Sequence, residues 1–316
     1  MIGFFIPRMT KPRKNKTVVI IAGPTGVGKT AVAIDIAKHF NAEIISADSR
    51  QCYRELNIGV ARPSPAELLA VRHHFIATHS ILEQVTAAMF EDYALELCAE
   101  LFRQEDLIVM AGGTGLYLKA FCDGLDDIPD VAPEMRDIIT RKYKEGGMTW
   151  LTDEIRKKDP LFYSEGEKQN PQRMMRALEV IEATGQSILQ FHKGKKKKRP
   201  FNIVKIGLEL PKSDLQDRIN YRVDKMIAAG LVKEVKGLIQ YKHMNALQTV
   251  GYLEILDHLE NKSTLQEAID QIKIHTRQYA KRQMTWFKRD EEMIWIAPGN
   301  VNLIISKIKE YAASSS

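Results

Sequence analysis

The segment that most constrains this chain is TVVIIAGPTGVGKT, residues 17–30. A continuous apolar, β-branched run ending in glycine is the pattern of a strand buried on both faces of a parallel sheet. It runs straight into G-x-x-x-x-G-K-[ST], met by Gly23, Gly28, Lys29 and Thr30 with Pro24, Thr25, Gly26 and Val27 between them. Ala33, Ile36, Ala37 and Phe40 then recur at helical spacing, so a helix packs back on the sheet. Strand, glycine loop and helix in this order make a phosphate loop. The glycines let backbone N–H groups turn toward phosphate oxygens, and the helix N-terminus adds its positive dipole end. Lys29 supplies a point charge and the Thr30 hydroxyl a place on Mg²⁺. The pattern reads a diphosphate and is silent on what that diphosphate is attached to.

The rest of the chain places this unit in an α/β fold with a P-loop NTPase-like parallel sheet. Residues 42–48 (AEIISAD), 73–78 (HHFIAT) and 106–113 (DLIVMAGG) read as further strands. Residues 84–104 read as an amphipathic helix carrying Phe90, Ala94, Leu97 and Leu101 on one stripe. This alternation argues for a parallel sheet. After about Cys122 the pattern changes to helices and polar loops. NPQRMMRALEVIEATG is the clearest of them, with Pro171 suited to its first turn and Gly185 to its end. Strand patterns return in residues 202–210 and 293–298. The expected organisation is an α/β core from 17–122 and 201–311, a helical insertion at 123–200, a disordered tail at 1–16 and a short tail at 312–316.

Composition narrows the class. The chain has 316 residues, 44% hydrophobic and 27% charged, with no apolar run of membrane-spanning length. In the opening MIGFFIPRMTKPRKNK the basic residues follow the apolar ones, the reverse of a secretory leader. Cys52, Cys98 and Cys122 are too few and scattered for a disulfide framework, which suits reduced thiols in a cytoplasmic protein. The net charge of +6 is concentrated in KGKKKKR (193–199) and in QIKIHTRQYAKRQMTWFKR (271–289), which holds six Lys or Arg and no acid. That helix, with its aromatics expected on the core side, favours a polyanion face. The lysine-rich loop reads as solvated, and His73, His74 and His79 as structural.

In open α/β sheets ligands sit outside the carboxyl ends of the strands. Gly23 onward, Asp48-Ser49-Arg50 and Gly112-Gly113-Thr114-Gly115 should therefore share one cleft. Asp48 has two readings there, a carboxylate that organises magnesium or a general base for a nucleophile brought to the diphosphate. Arg218 and Arg222 lie four apart on a helix expected to start at a capping box of Ser213 and Gln216, with Leu215, Ile219, Val223 and Met226 as its buried stripe. A solvated face is the usual explanation of such a pair, and an anion nearby, such as a leaving diphosphate, is the sharper one.

Taken together, AGPTGVGKT, IISADSRQCYRELNIGVARPS, MAGGTGLYLKAF, NPQRMMRALEVIEATG and TRQYAKRQMTWFKR resemble the bacterial tRNA dimethylallyltransferases, also called tRNA isopentenyltransferases. The resemblance runs from about residue 17 to 297. It implies transfer of a dimethylallyl group from dimethylallyl diphosphate to N6 of the adenosine 3′ of the anticodon. It assigns the diphosphate and Mg²⁺ to the P-loop, with Thr30 on the metal. Asp48 becomes the general base, Thr114 a neighbour of the reacting amine and phosphates, and Arg222 a diphosphate ligand. tRNA contacts fall on Asp48, Ser49, Arg50, Gln51, Thr114, Arg136, Gln172, Arg173, Met174, Met175 and Arg176, and on the segment 247–252 with Gln248 and Gly251. The insertion would grip the anticodon stem-loop, with the target base extruded into the core. A monomer without membrane attachment is implied. Where the family follows this GY with Lys or Arg, the chain has Leu253. Two other readings stand beside it: an ATP-using small-molecule kinase with the insertion as a lid, and a prenyltransferase acting on free adenylate.

Overall fold

The computed structural model describes residues 16–192, 194 and 196–314. The expected tail before Lys16 and the loop lysines Lys193 and Lys195 lie outside the described residues. In chain order the elements open with β1 (Thr17–Ala22), α1 (Lys29–Phe40), β2 (Ile44–Ser46), α2 (Pro65–Ala70) and β3 (His73–His74). Then come α3 (Ala87–Leu101), β4 (Leu107–Gly112) and α4 (Gly115–Asp123). A helical stretch follows: α5 (Pro133–Lys158), α6 (Pro160–Glu165), α7 (Pro171–Thr184) and α8 (Ile188–Phe191). The chain returns through β5 (Asn202–Leu208), α9 (Lys212–Ala228), α10 (Leu231–Gly237) and α11 (Tyr252–Leu259). It closes with α12 (Leu265–Phe287), β6 (Ile294–Ile296) and α13 (Val301–Ser314).

Among the described residues the strands form one sheet in the order β3-β2-β4-β1-β5-β6, all neighbours parallel. β1 lies inside it, paired over its whole length with β4 on one side and β5 on the other. That position explains the unbroken apolar run. Val18, Ile20 and Ala22 face a cluster containing Phe90, Phe121 and Tyr252. Val19 and Ile21 face another containing Ala33, Ile36 and Ile304. Each buried Val, Ile or Phe among them contributes roughly 1.5–3 kcal/mol. Ile20→Ala would remove that and open a cavity, at a cost of about 2–5 kcal/mol.

The chain divides into two compact units, Asp123–Lys197 and the flanking chain. The smaller has its own core of Ile139, Leu151, Ile155, Phe162, Met174, Met175 and Leu178. Its α7 begins at Asn170, whose side chain accepts from the N–H groups of Gln172 (3.0 Å) and Arg173 (3.3 Å). Pro171 occupies the first turn, and Gly185 ends the helix in the left-handed region (φ 71°). Gly147 (φ 61°, ψ −157°) kinks α5.

Four expectations need correction. The strand over 73–78 stops at His74, because Phe75 and Ala77 adopt left-handed φ of 60° and 53°. That turn drives Phe75 into an aromatic cluster with Phe90 and Tyr93, at centroid distances of 5.1 and 5.0 Å. The helix over 84–104 is shorter, starting after its Thr86 cap. The capping box of Ser213 and Gln216 does not form: α9 starts at Lys212 with Pro211 in the cap position, two residues before Ser213, and Ser213 bonds the neighbouring Asp214 carboxylate instead. Finally, α13 continues through Ser314, three residues into the stretch expected as a tail.

Candidate active site

The sheet order brings the carboxyl ends of β1, β4 and β2 side by side. Two close approaches lock them. Thr114 N–H donates to Ala47 O at 3.2 Å, and Ala47 N–H to Ala111 O at 2.8 Å. A Cβ on Gly112 would stand 2.1 Å from Ala47 O, so only glycine permits this approach of backbone to backbone. Beyond these ends lies a cavity of about 750 Å³. Its walls include the phosphate loop, Asp48 to Gln51, Arg218 and Arg222 from α9, Gln248 to Gly251, and Tyr279, Arg282 and Gln283 of α12.

The phosphate loop is shaped by left-handed glycines. Gly26 (φ 83°) lies where a Cβ would press on Ile219 at 3.0 Å, and Gly28 (φ 106°) caps α1. The Lys29 ammonium donates to Gly23 O (3.0 Å) and Pro24 O (2.8 Å) of its own loop. Burial lowers the Lys29 pKa to about 8, against the attraction of Asp48 and with a smaller push from Arg222. The Arg222 guanidinium is also desolvated, which lowers its pKa while Asp48 opposes the shift. It donates to the Thr25 hydroxyl at 3.3 Å, and Arg218 donates to Val27 O at 3.2 Å. Two arginines thus stand over one loop that is built to receive an anion.

Asp48 sits in the turn after β2. Its Oδ1 accepts from the N–H groups of Arg50 (2.9 Å) and Gln51 (3.3 Å), which fixes the plane of the carboxylate. The Thr114 hydroxyl accepts from Ser49 N–H at 3.0 Å. An immobilised carboxylate beside a hydroxyl, a desolvated lysine and an arginine can accept a proton while an anionic group departs.

The predicted residues divide in two. Those of the P-loop, together with Asp48, Ser49, Arg50, Gln51, Thr114, Arg222, Gln248 and Gly251, belong to the larger unit at this edge of the sheet. Arg136, Gln172, Arg173 and Arg176 belong to the smaller unit. Met174 and Met175, placed among the tRNA contacts, are core residues there at 0% and 5% exposure. The amphipathic turn of α7 points their side chains into that unit's core. Arg136 donates two bonds to the buried Glu179 carboxylate (3.2 and 3.1 Å), and Arg176 a third.

The basic stretches are also less free than their sequence implies. Lys273 pairs with Asp224 and Lys288 with Glu209, so acids on other elements answer those on α12. Phe287 is buried as expected of the helix's aromatics, whereas Tyr279 is 38% exposed and lines the cavity. Arg199, last of the lysine-rich loop, has its side chain largely buried. It is held by Glu91 at 2.8 Å and by the carbonyls of Phe121 and Ala120, both at 2.7 Å.

One residue of the site had no role in the sequence reading. Gln283 on α12 is 7% exposed. Its Oε1 accepts from Thr25 N–H at 2.8 Å and its Nε2 donates to Gly113 O at 2.8 Å. Its signal was a polar residue on the stripe of Ala280 and Phe287.

The family model described as IPP transferase matches residues 51–290. The chain belongs to the IPP transferase family. A tRNA dimethylallyltransferase of Bacteroides thetaiotaomicron is 42% identical over 293 residues, covering 93% of this chain and 95% of that one. One from Cytophaga hutchinsonii is 42% identical over 295 residues, covering 93% and 97%. The fold agrees. A tRNA isopentenylpyrophosphate transferase of Bacillus halodurans superposes with a TM-score of 0.67 at 36% identity, covering 94% of this chain and 97% of that one. A eukaryotic dimethylallyltransferase, solved acting on tRNA, gives 0.70 at 28% identity, covering 86% and 69%. No helix among the described residues is long and apolar enough to cross a membrane.

Proposed function

We propose that this protein is a cytoplasmic, monomeric tRNA dimethylallyltransferase. It moves a dimethylallyl group from dimethylallyl diphosphate to N6 of the adenosine 3′-adjacent to the anticodon and releases diphosphate. The observation that carries this is a diphosphate loop and an immobilised carboxylate facing one cavity, in a chain of the IPP transferase family. The kinase reading has no comparable support.

The N6 lone pair of adenine is delocalised into the ring, so the amine attacks poorly unless a base takes its proton. Asp48 is that base. Its Oδ1 is occupied by two backbone N–H groups, which leaves Oδ2 to receive the proton. The N–C bond forms as the C–O bond to diphosphate breaks, and the bond's electrons leave with the diphosphate. Lys29, Arg222 and the amides of residues 26–30 hold that charge. Thr114, anchored through Ser49, lies beside the amine and the leaving group. Arg50, Gln51, Gln248 and Gly251 contact the extruded nucleotide and its neighbours. Arg136, Gln172, Arg173 and Arg176 contact the stem-loop.

The residues here fit Mg²⁺. The Thr30 hydroxyl lines the cavity beside the phosphate loop, a hard oxygen donor of the kind Mg²⁺ takes, and diphosphate and water would complete the set. Bound there, the ion would neutralise charge on the leaving diphosphate. The test is incubation with unmodified tRNA and dimethylallyl diphosphate followed by nucleoside analysis. N6-dimethylallyladenosine is expected; ATP consumption without it would overturn the reading.

A further inference from the structure

We infer that Gln283 is a positioning residue that clamps the diphosphate loop to the Thr114 turn. It lines the cavity but spends both polar ends of its amide on backbone, and so sets the donor against the acceptor through the two loops. The inference rests on the transferase reading above. Three observations carry it.

First, both ends of one buried amide are used, and both partners are backbone. Oε1 takes Thr25 N–H in the phosphate loop, and Nε2 gives to Gly113 O, one residue before Thr114. Second, a Cβ on Gly113 would meet the Gln283 amide nitrogen at 2.3 Å, with the amide carbon and the Lys29 ammonium the next atoms at 3.5 Å. Gly113 has an ordinary φ, so its lack of a side chain serves to admit this glutamine and not to relieve backbone strain. Third, Thr25 is held from two sides, its N–H by Gln283 and its hydroxyl by Arg222. Pro24, the residue before it, has no N–H to offer. The third residue of the loop is thus tied to the acceptor side of the cavity.

Transfer needs the departing C–O bond and the attacking amine in line, and a misplacement of about 1 Å can cost about 100-fold in rate. A clamp between the two loops acts on that alignment and not on the affinity for either substrate. The loss should therefore fall on kcat.

The experiment uses the whole chain. Gln283→Met keeps length and volume but makes neither bond, while Gly113→Ala expels the glutamine from the other side. Each should lower kcat at saturating tRNA and donor by about 10- to 100-fold. The dissociation constants for tRNA and for inorganic diphosphate should stay within about threefold, since the two bonds removed are to protein backbone and not to a substrate. The two sites should be strongly non-additive. In a Gln283→Ala background the Gly113→Ala methyl has room, and it should cost little more. Hydrogen exchange at the Thr25 amide should accelerate in every Gln283 variant. An unchanged kcat overturns the inference, as does a loss that follows weakened binding or adds across the two sites. If the unaltered protein makes no prenylated adenosine, the functional reading has failed instead, and the exchange and diphosphate-binding results still judge the clamp.

Discussion

The Thr114 hydroxyl accepts the Ser49 N–H at 3.0 Å, stitching the turn after β4 to the turn after β2 one residue from Asp48. The contact fixes the backbone from which the Asp48 carboxylate projects. Asp48→Asn keeps the shape of the turn and removes the base. It should lower the single-turnover rate by about 10²- to 10⁴-fold while tRNA affinity changes little. Equal losses in rate and affinity would sink the base role. Thr114→Val should give a smaller rate loss, because the Ser49 N–H then lacks its acceptor.

Lys29 predicts a pH dependence with two opposite signs. With its pKa lowered to about 8, the lysine is charged below that pH and neutral above it. Diphosphate affinity should therefore weaken as pH rises through 8, and binding there should take up a proton as the anion restores the charge. For folding the sign reverses. Between about 8 and the ordinary value of 10.5 the unfolded chain holds the proton that the native chain has released. This group's destabilising effect is thus fully present below about 8 and relieved toward 10.5. Calorimetry in buffers of different ionisation enthalpy would measure the proton uptake. Lys29→Arg should abolish it, because arginine stays charged.

Much of this site was legible because its parts are local. TVVIIAGPTGVGKT carries strand, loop and helix in consecutive residues, and Asn170 through Gly185 writes both ends of α7. Asp48 and Thr114 could be placed by the rule that strand ends face ligands. What escaped depends on distant backbone. Gln283 bonds residues 258 and 170 positions away, neither through a side chain that a pattern would reveal. Arg199 looked like the end of a solvated basic run, because the acid that buries it, Glu91, lies 108 positions away. Phe75 sits in a plausible strand pattern, but the left-handed turn there, which carries its ring to Phe90 and Tyr93, has no local signal. Met174 and Met175 sat inside a motif whose outward residues are only every third or fourth.

The smaller unit offers a graded test of tRNA contact. Arg173 is 54% exposed and only loosely paired with Glu167 at 4.0 Å, whereas Arg136 is gripped by the buried Glu179. A phosphate-contacting residue contributes to the salt slope of binding, about one unit per contact at most. Arg173→Gln should flatten log Kd against log salt by about that amount. Arg136→Gln should lower thermal stability as well, since Glu179 keeps only Arg176. If the slope is the same in both variants and the parent, neither residue touches phosphate.

The final prediction concerns the opposite wall of the cavity. Glu234 on α10 accepts Ile58 N–H (2.8 Å), Gly59 N–H (3.1 Å) and the Tyr252 hydroxyl (2.6 Å). Tyr252 is fully buried, and its ring packs so tightly on Gly59 that a Cβ there would stand 2.4 Å from it. One carboxylate thus joins the segment containing Gly59 to Ala61 with the start of α11, both of which border the cavity. Tyr252→Phe removes one donor and leaves Glu234 two, at a cost of about 1 kcal/mol. Glu234→Ala strands two N–H groups and a buried phenol, and should cost about 3 kcal/mol or more. Chemical denaturation of the two variants gives that ratio directly. Because the wall carries Gln248 and Gly251 as well, Glu234→Ala should also raise the KM for tRNA, with the donor's KM unchanged. A donor KM that rises in step would mean that the wall and the phosphate loop move together.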